Sequence, residues 1–267
     1  MPKTTDDITI GRSTMSLFTG HPGSRKTCAA ASYPGPIYFW DFDGRIAPIK
    51  KVFPDRKDIF YDTYSSFEAA LRTMKEWQLN GPPISPTGEP YRTTVADSLT
   101  TISKTIIRDA KRLLRPGGNK NQKGLIQVAE IEDYNREVAG LEELLSFLKT
   151  MNEDYGMNTI LTAHLLIYEE AVAGSIGKSQ VKSQVLTAGK KVAPYIPAVF
   201  DEVYHFEVEG GMGDSHCYAY TDIFGDHFAK TALPLPYRID FTGKPFYEEI
   251  VSSLKSNGIV LDDVEVN

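Results

Sequence analysis

Cysteine is scarce in this chain, and the sequence lacks the features of a disulfide-stapled or membrane-spanning protein. Its 267 residues include two cysteines, Cys28 and Cys217, which are too few for a disulfide framework. No apolar run approaches the ~18 residues that cross a bilayer. The polar start, residues 1–9, lacks the basic and apolar blocks of a signal peptide. We therefore expect reduced cysteines, no membrane partner and a cytoplasmic location.

The charge balance also excludes one class of protein. A net charge of −6 argues against a chain that coats nucleic acid with its whole surface. A local basic groove remains compatible with that charge, because binding depends on where the Lys and Arg side chains lie. A hydrophobic content of 41% and a charged content of 24% are typical of a globular chain. The length suits one large domain or one domain with additions.

The segment from Gly20 to Thr27 is the most informative stretch of the sequence. It follows the apolar run 15–18 and precedes an alanine-rich run, so a strand and a helix are expected on its two sides. In such a loop, backbone N–H groups and the helix N-terminus hold phosphates, the lysine reaches the terminal phosphates and the threonine hydroxyl holds Mg²⁺. The predicted nucleotide-binding residues are Gly20, His21, Pro22, Gly23, Ser24, Arg25, Lys26, Thr27 and Cys28, with Thr27 also a metal ligand.

Arg25 is a departure from the usual GxxxxGK[ST] pattern, which has glycine at that position. The Arg25 N–H can still donate to phosphate, and its guanidinium is itself a phosphate-binding group. Its side chain is nevertheless expected where the loop packs around the phosphates. An ordinary glycine turn between a strand and a helix is the alternative interpretation of the segment.

Strands alternate with helices along the chain. The patterns predict strands at 15–20, 37–40, 59–61, 93–96, 158–165, 199–208, 217–221 and 227–230, with a short edge strand at 5–11. Predicted helices lie at 26–32, 99–114, 131–154 and 244–257. A further helix is predicted to begin after the capping serines Ser65 and Ser66. This alternation indicates an α/β fold with a mainly parallel sheet. Ligands of such sheets bind beyond the carboxyl ends of the strands.

Acidic residues follow two of these strands. Asp97 is a candidate ligand of the Mg²⁺ hydration shell, although Asp97 or Ser98 could instead cap the next helix. Asp43, two residues after Asp41, is a candidate to orient or deprotonate an attacking water. The alternative for Asp43 is a plain Asp-Gly turn with Gly44.

His164 ends a further strand, where a polar side chain is able to sense the terminal phosphate. A structural, hydrogen-bonded histidine is the alternative. The remaining histidines show no metal-ligand spacing with the two cysteines; they are His21, His205, His216 and His227.

Basic residues follow His164. The segment 168–191 is rich in Gly, Ser, Lys and Gln and is predicted to be a mobile loop. Such a loop can neutralise a nucleic-acid backbone, although by itself it is more often a solvated surface. The lysines concerned are Lys178, Lys182, Lys190 and Lys191. Lys230 is either a phosphate contact between subunits or a charge at a strand end.

Five runs of sequence, taken in order, resemble one family. Residues 17–44, LFTGHPGSRKTCAAASYPGPIYFWDFDG, resemble the start of phage-encoded RecA-like ATPases, the AAA-type group linked to phage single-strand annealing and recombination. VADSLTTI (95–102), NTILTAHL (158–165), PAVFDEVYHFE (197–207) and FGDHFAKTALPLP (224–236) follow in that family's order and approximate spacing. The likeness covers residues 12–240. The ordered set of five runs is far more specific than the segment Gly20–Thr27, the phosphate loop, is by itself.

The resemblance implies a RecA-like P-loop core that binds ATP with Mg²⁺ and acts on single-stranded DNA as a ring or filament. It assigns the catalytic carboxylate to Asp43, the second acid of the metal site to Asp97, the γ-phosphate sensor to His164 and the DNA contact to residues 168–191. It also implies that Lys230 reaches the neighbouring subunit's nucleotide. Members of the family often have an arginine soon after this lysine, and this sequence lacks it. Lys26 completes the predicted catalytic set.

The implied domain organisation is an N-terminal extension over 1–11, an ATPase domain over 12–240 and a C-terminal helix with an acidic tail over 241–267. A phage-encoded protein would act in the cytoplasm of the infected cell. A single-strand-binding protein or another recombination protein is a further candidate partner, for which the acidic tail at 262–265 is a candidate docking segment.

Two alternatives stay open. Arg25 in the loop, and an aspartate at position 43 where RecA proper has glutamate, are compatible with a module that binds nucleotide and DNA with little or no ATP turnover. A small-molecule kinase would want an arginine-rich lid, and residues 168–191 contain no arginine.

Overall fold

An eight-stranded sheet organises the protein. The computed structural model describes residues 13–114, 128–171, 179–211 and 214–259. The sheet contains β1 (Met15–Gly20), β2 (Ile37–Asp41), β3 (Ile59–Thr63), β4 (Thr93–Asp97), β5 (Asn158–Ala163), β8 (Glu202–Glu209), β9 (His216–Tyr220) and β10 (Arg238–Asp240). Two further strands, β6 (Leu165–Ala171) and β7 (Ser179–Val185), pair only with each other.

The strand order puts the phosphate loop near the middle of the sheet. The order is β10-β9-β8-β1-β5-β4-β2-β3, and the six strands from β8 to β3 run parallel. β9 and β10 extend the sheet in antiparallel fashion. β1 therefore lies between β5 and β8, and the loops after β1, β2, β4 and β5 meet at one edge, where α/β sheets bind ligands.

Within the described ranges, six α-helices cover the two faces of the sheet. They are α1 (Lys26–Ala30), α2 (Ala47–Val52), α3 (Phe67–Asn80), α4 (Leu99–Leu114), α5 (Ile131–Glu153) and α6 (Phe246–Ser256). Neighbouring strand residues point to opposite faces. Leu17 and Trp40 thus join the core built with α3, α4 and α5, whereas Phe18 and Phe39 join the core built with α1, α2 and α6.

The predicted α/β class, with a mainly parallel sheet flanked by helices, is confirmed, whereas the RecA-like P-loop core within that class stays a prediction. The sequence signals for the α/β class were strong because β1, β4 and β5 are buried along their whole length, as strands covered on both faces must be. The predicted cap of α3 is also present, since the Ser66 side chain accepts a hydrogen bond from the Ala69 N–H.

Three sequence-based predictions need correction. Residues 168–171 and 179–185 of the segment predicted to be a mobile loop are paired strands of the β6–β7 hairpin. Residues 227–230 form no continuous strand, and contribute isolated bridges at His227 and Lys230. The strand predicted to start at 199 begins at Glu202, after a 3₁₀ turn at Ile196–Val199. The composition of 168–191 suggested a loop, but pairing between β6 and β7 outweighs the weak strand propensity of the individual residues.

Several predictions fall outside the described residues. They are the edge strand at 5–11, the basic loop at 115–124, Lys178 and the acidic tail at 262–265. The division of the chain into an extension, an ATPase domain and a C-terminal segment stays a prediction. Within the described ranges, no helix is long and apolar enough to cross a membrane.

Candidate functional site

The loop after β1 turns sharply at Gly20, and only glycine fits there. Its φ is +145°, and a Cβ at this position would lie 2.4 Å from the Phe206 carbonyl oxygen and 2.8 Å from the Ser24 Oγ. The close approach of β8 therefore fixes the residue type at the start of the loop. Gly23 also has a positive φ, of +87°, but open space surrounds it.

Arg25 adopts a left-handed backbone conformation, which favours glycine. Its φ is 66° and its ψ is 18°, in the left-handed region, which costs an L-residue about 1–2 kcal/mol. Its side chain is exposed, and its charge acts on the pKa of both Cys28 and Cys217. The loop keeps this course at a cost in backbone strain, and the place of the guanidinium relative to a bound phosphate stays a prediction.

Lys26 lies inside the loop and is 6% exposed. Its Nζ donates hydrogen bonds to the Gly20 and His21 carbonyl oxygens, at 2.8 and 2.9 Å, and to the Ser24 Oγ at 3.2 Å. Burial lowers the pKa of Lys26 to about 8, against the opposing charges of Asp97 and Asp43. A phosphate oxygen entering the loop would take over one or more of these three donors.

Asp97 ends β4 and is held by hydroxyls from two other elements. The Thr27 Oγ1 donates to its Oδ2 at 2.8 Å, and the Thr162 hydroxyl of β5 donates to its Oδ1. Burial raises the pKa of Asp97, and both hydroxyl contacts oppose that rise. A hydroxyl beside a carboxylate is the hard-oxygen donor set that Mg²⁺ prefers.

The carboxylates of Asp41 and Asp43 have different surroundings and therefore different roles. Asp41 is buried, and its carboxylate accepts from the Gly44 N–H at 2.8 Å and the Thr63 Oγ1 at 3.3 Å, so it shapes the turn. Asp43 is half-buried, and its Oδ1 accepts from the Ser98 Oγ at 3.0 Å. Its charge acts on the pKa of both Lys26 and His164, so it faces the loop.

His164 lies between β5 and β6 and connects the core to the hairpin. Its N–H donates to the Thr100 Oγ1 at 3.3 Å, and its carbonyl accepts from the Leu186 N–H at 2.7 Å. Burial, and then the charge of Lys26, lower the pKa of the imidazole. The ring Nδ1 is buried with no hydrogen-bond partner among the described residues, and a contact between the imidazole and the Gly20 backbone opposes the fall in the pKa of His164. A buried polar atom without a partner is a candidate to bind a ligand once the ring moves.

These residues fit a nucleoside triphosphate with Mg²⁺. The loop offers a lysine and a backbone turn for the phosphates, the Thr27–Asp97 pair offers oxygen ligands for the ion, and the His164 Nδ1 is an unsatisfied buried polar atom beside them. The sequence patterns named Ser98 beside Asp97 but gave no role to the hydroxyls of Thr100 and Thr162. Thr162 lies two residues before His164 at the end of β5, and Thr100 lies in the first turn of α4.

Three of the four predicted DNA-contacting lysines lie in the described residues, and they belong to two different segments. Lys182 lies on β7 and forms an ion pair with Glu170 on β6, whereas Lys190 and Lys191 are exposed in the segment after β7. Lys230 is half-buried, and its backbone exchanges hydrogen bonds with Val203 at 2.8 and 3.0 Å. The described part of the hairpin is not basic, because Glu169 and Glu170 outnumber the single lysine, Lys182.

Comparison with known proteins gives a likeness among solved structures alone. No protein-family model matches the chain, and a search of curated proteins gave no match. Among solved structures, the chain is similar to a KaiC-like protein from the hyperthermophilic archaeon Pyrococcus horikoshii OT3, at 16% identity over 87% of each chain and with a TM-score of 0.41. A likeness at this level says nothing about activity, substrate or assembly, and the fold class stands on the strand order itself.

Proposed function

We propose that the protein is a RecA-like ATPase that binds ATP with Mg²⁺ and acts on single-stranded DNA in phage recombination or annealing. The observation that carries the nucleotide part is the convergence of Lys26, the Thr27–Asp97 pair, Asp43 and His164 at one edge of the sheet. These groups come from four separate stretches of chain, and together they match the needs of phosphoryl transfer.

Each side chain has one task in this proposal. Residues 20–28 surround the phosphates, and Lys26 neutralises the charge of the terminal ones. Thr27 and Asp97 hold the ion, which when bound neutralises negative charge on the phosphate oxygens. Asp43 orients the attacking water and accepts its proton, and the His164 imidazole contacts the terminal phosphate.

The DNA part of the proposal rests on the position of His164. Its carbonyl is bonded to Leu186, and β6 begins at the next residue, so a ring that contacts phosphate is directly joined to the hairpin. Lys178, Lys182, Lys190 and Lys191 are the proposed contacts with the DNA backbone. For Lys182 this requires exchange of its surface ion pair with Glu170, and such pairs are worth little.

Assembly is part of the same proposal. A ring or filament of identical subunits would bring Lys230 to the neighbour's nucleotide. A single-strand-binding protein or another recombination protein is the proposed heterologous partner. Light scattering with and without ATP and single-stranded DNA tests the assembly, and a monomer under all conditions would contradict it.

A second candidate function is nucleotide-dependent DNA binding or annealing with little or no turnover. One contact favours it, because the Asp43 carboxylate accepts a hydrogen bond from the Ser98 Oγ. The Asp43 side chain is also one methylene shorter than that of a glutamate. In this case ATP would act as a ligand that sets the conformation, and hydrolysis would be slow.

The two candidates are separated by measuring ATP binding and hydrolysis on the same protein. For the ATPase, we expect a steady hydrolysis rate that single-stranded DNA raises and that Lys26→Ala removes together with tight ATP binding. Tight binding without hydrolysis supports the second candidate. A protein that neither binds ATP nor shifts a single-stranded oligonucleotide would overturn both.

A further inference from the structure

A cluster of two histidines and a glutamate lies beside the phosphate loop, on the side away from Asp97. His205 and Glu207 are two residues apart on β8 and share one face of the sheet. His227 reaches them from the turn that follows β9. One ligand atom from each of the three residues lies within 4.8 Å of the others.

The outer contacts of the cluster orient both imidazoles. The His205 Nδ1 lies 3.4 Å from the Thr19 Oγ1, and its Nε2 lies 3.2 Å from Glu207 Oε1. The His227 Nδ1 lies 3.0 Å from the Ser183 Oγ, which leaves its Nε2 for another partner. Metal-binding histidines are held in this way, with the second ring nitrogen bonded to a neighbouring polar group.

Burial of the cluster suits a metal as well. The His205 side chain is fully buried, whereas Glu207 and His227 are partly open to solvent, so an ion has a route in.

We propose that His205 Nε2, Glu207 and His227 Nε2 form a site for a divalent transition metal of the zinc class, with a fourth position open to water. Two histidines and a carboxylate are a common ligand set for Zn²⁺. Around a tetrahedral ion, ligand atoms lie about 3.3 Å apart. The cluster would have to tighten to that spacing, because its ligand atoms lie within 4.8 Å of one another. The two imidazoles stack with ring centroids 4.0 Å apart, so binding would also turn one ring relative to the other.

The site would connect three segments of the protein. Thr19, which contacts His205, directly precedes Gly20 of the phosphate loop, and His227 lies three residues before Lys230. The charge of His21 in the loop also lowers the pKa of His205 and His227, so the loop lies close by. A bound ion would therefore fix the 224–227 turn against β8, next to the nucleotide site. This inference does not depend on ATP binding.

The test uses the full-length protein stripped of metal by a chelator. Co²⁺ is titrated in the absence of nucleotide, its absorption bands report low-symmetry coordination by nitrogen ligands, and Zn²⁺ competition gives the affinity. We expect one ion per chain and a rise of several degrees in Tm with Zn²⁺. Glu207→Gln and His227→Asn should each weaken binding at least tenfold.

The matched control is His216→Asn, a change at an exposed histidine on β9 that pairs with Asp214. It should bind the ion as the unmodified protein does. Circular dichroism and the Tm without metal establish that each variant is folded, and Glu207→Gln, being nearly isosteric, guards against misfolding of the histidine variant. Absence of a stoichiometric cobalt signal, or binding that survives both Glu207→Gln and His227→Asn, would overturn the inference.

Discussion

The Thr27 hydroxyl donates a 2.8 Å hydrogen bond to the Asp97 carboxylate, and this contact joins the phosphate loop to the end of β4 across 70 residues of chain. Thr162 of β5 holds the other carboxylate oxygen. Because β5 lies between β1 and β4 in the sheet, the three side chains meet only in the folded protein. The metal side of the proposed site depends on this meeting.

Asp97→Asn should weaken Mg²⁺-dependent ATP binding at least tenfold, which is about 1.4 kcal/mol. An amide keeps the shape of the carboxylate but loses the charge that the ion requires. Titration with a fluorescent ATP analogue, in Mg²⁺ and then in excess EDTA, measures the effect. Asp201→Asn, a change at an exposed aspartate next to β8, is the control. Equal Mg²⁺ dependence in the Asp97 variant and the control would contradict the metal role.

Arg25→Gly should raise the free energy of unfolding by about 0.5–1 kcal/mol. It relieves about 1–2 kcal/mol of left-handed strain, of which glycine's greater flexibility in the unfolded chain offsets part. Arg25→Ala keeps the strain and removes only the guanidinium, so it separates backbone from side chain. Urea denaturation of the three proteins measures both. A less stable glycine variant would show that the side chain contributes more than the strain costs.

The same two variants address turnover. Because the Arg25 side chain is exposed, we expect ATP hydrolysis in Arg25→Gly to stay within about threefold of the unmodified rate, a difference of ~0.6 kcal/mol in the barrier. A large gain in Arg25→Gly alone would instead show that the residue restrains the loop, in agreement with the second candidate function.

Asp43→Asn should lower the ATP hydrolysis rate by about 10²–10⁴, the usual contribution of a general base, with little change in ATP affinity. Asp41→Asn is the matched control, because its carboxylate is used by the Gly44 N–H and Thr63. That variant should lose about 1 kcal/mol of stability while retaining hydrolysis. Single-turnover assays and urea denaturation distinguish the two outcomes, and equal hydrolysis losses would remove the special role of Asp43.

Lys190→Ala with Lys191→Ala should reduce the salt dependence of binding to single-stranded DNA. Each phosphate contact contributes about 0.7 to the slope of log K against log salt, so the double variant should lower the slope by about 1.4. Lys50→Ala with Lys51→Ala, at another exposed adjacent pair on α2, is the matched control. Fluorescence anisotropy at several salt concentrations gives the slopes. Identical slopes in the two double variants would exclude this contact.

His205 should make the metal-free protein less stable as the pH falls below about 6.5. Its pKa is about 3 in the folded protein against 6.5 for an ordinary histidine, so between these values the unfolded chain binds a proton that the folded one does not. The free energy of unfolding is then lost at up to about 1.4 kcal/mol per pH unit as pH decreases.

Denaturation in EDTA at pH 7.5, 6.5 and 5.5 measures this slope. His205→Gln keeps a side chain of similar size without the titration, and should flatten the slope. His216→Gln should not, because that imidazole is exposed. A slope unchanged by His205→Gln would show that other groups account for the acid sensitivity.

Local patterns in the sequence were sufficient for much of the fold. The strand at 15–20, the cap of α3 at Ser66 and the helix at 99–114 were predicted correctly, because each depends on side chains within a few residues of one another. The hairpin β6–β7 was missed because its stability comes from pairing between strands, which composition does not report.

The residue patterns alone predicted the phosphate loop, the alternation of strands and helices, and the acids and histidine at the strand ends. The packed structure was needed to show that Asp41 shapes a turn while Asp43 faces Lys26. It was also needed to show that the Arg25 backbone is left-handed and that His205, Glu207 and His227 lie together. The physical reason is distance along the chain: spacing rules work within one element, whereas these relationships arise between elements that only the packed sheet brings into contact.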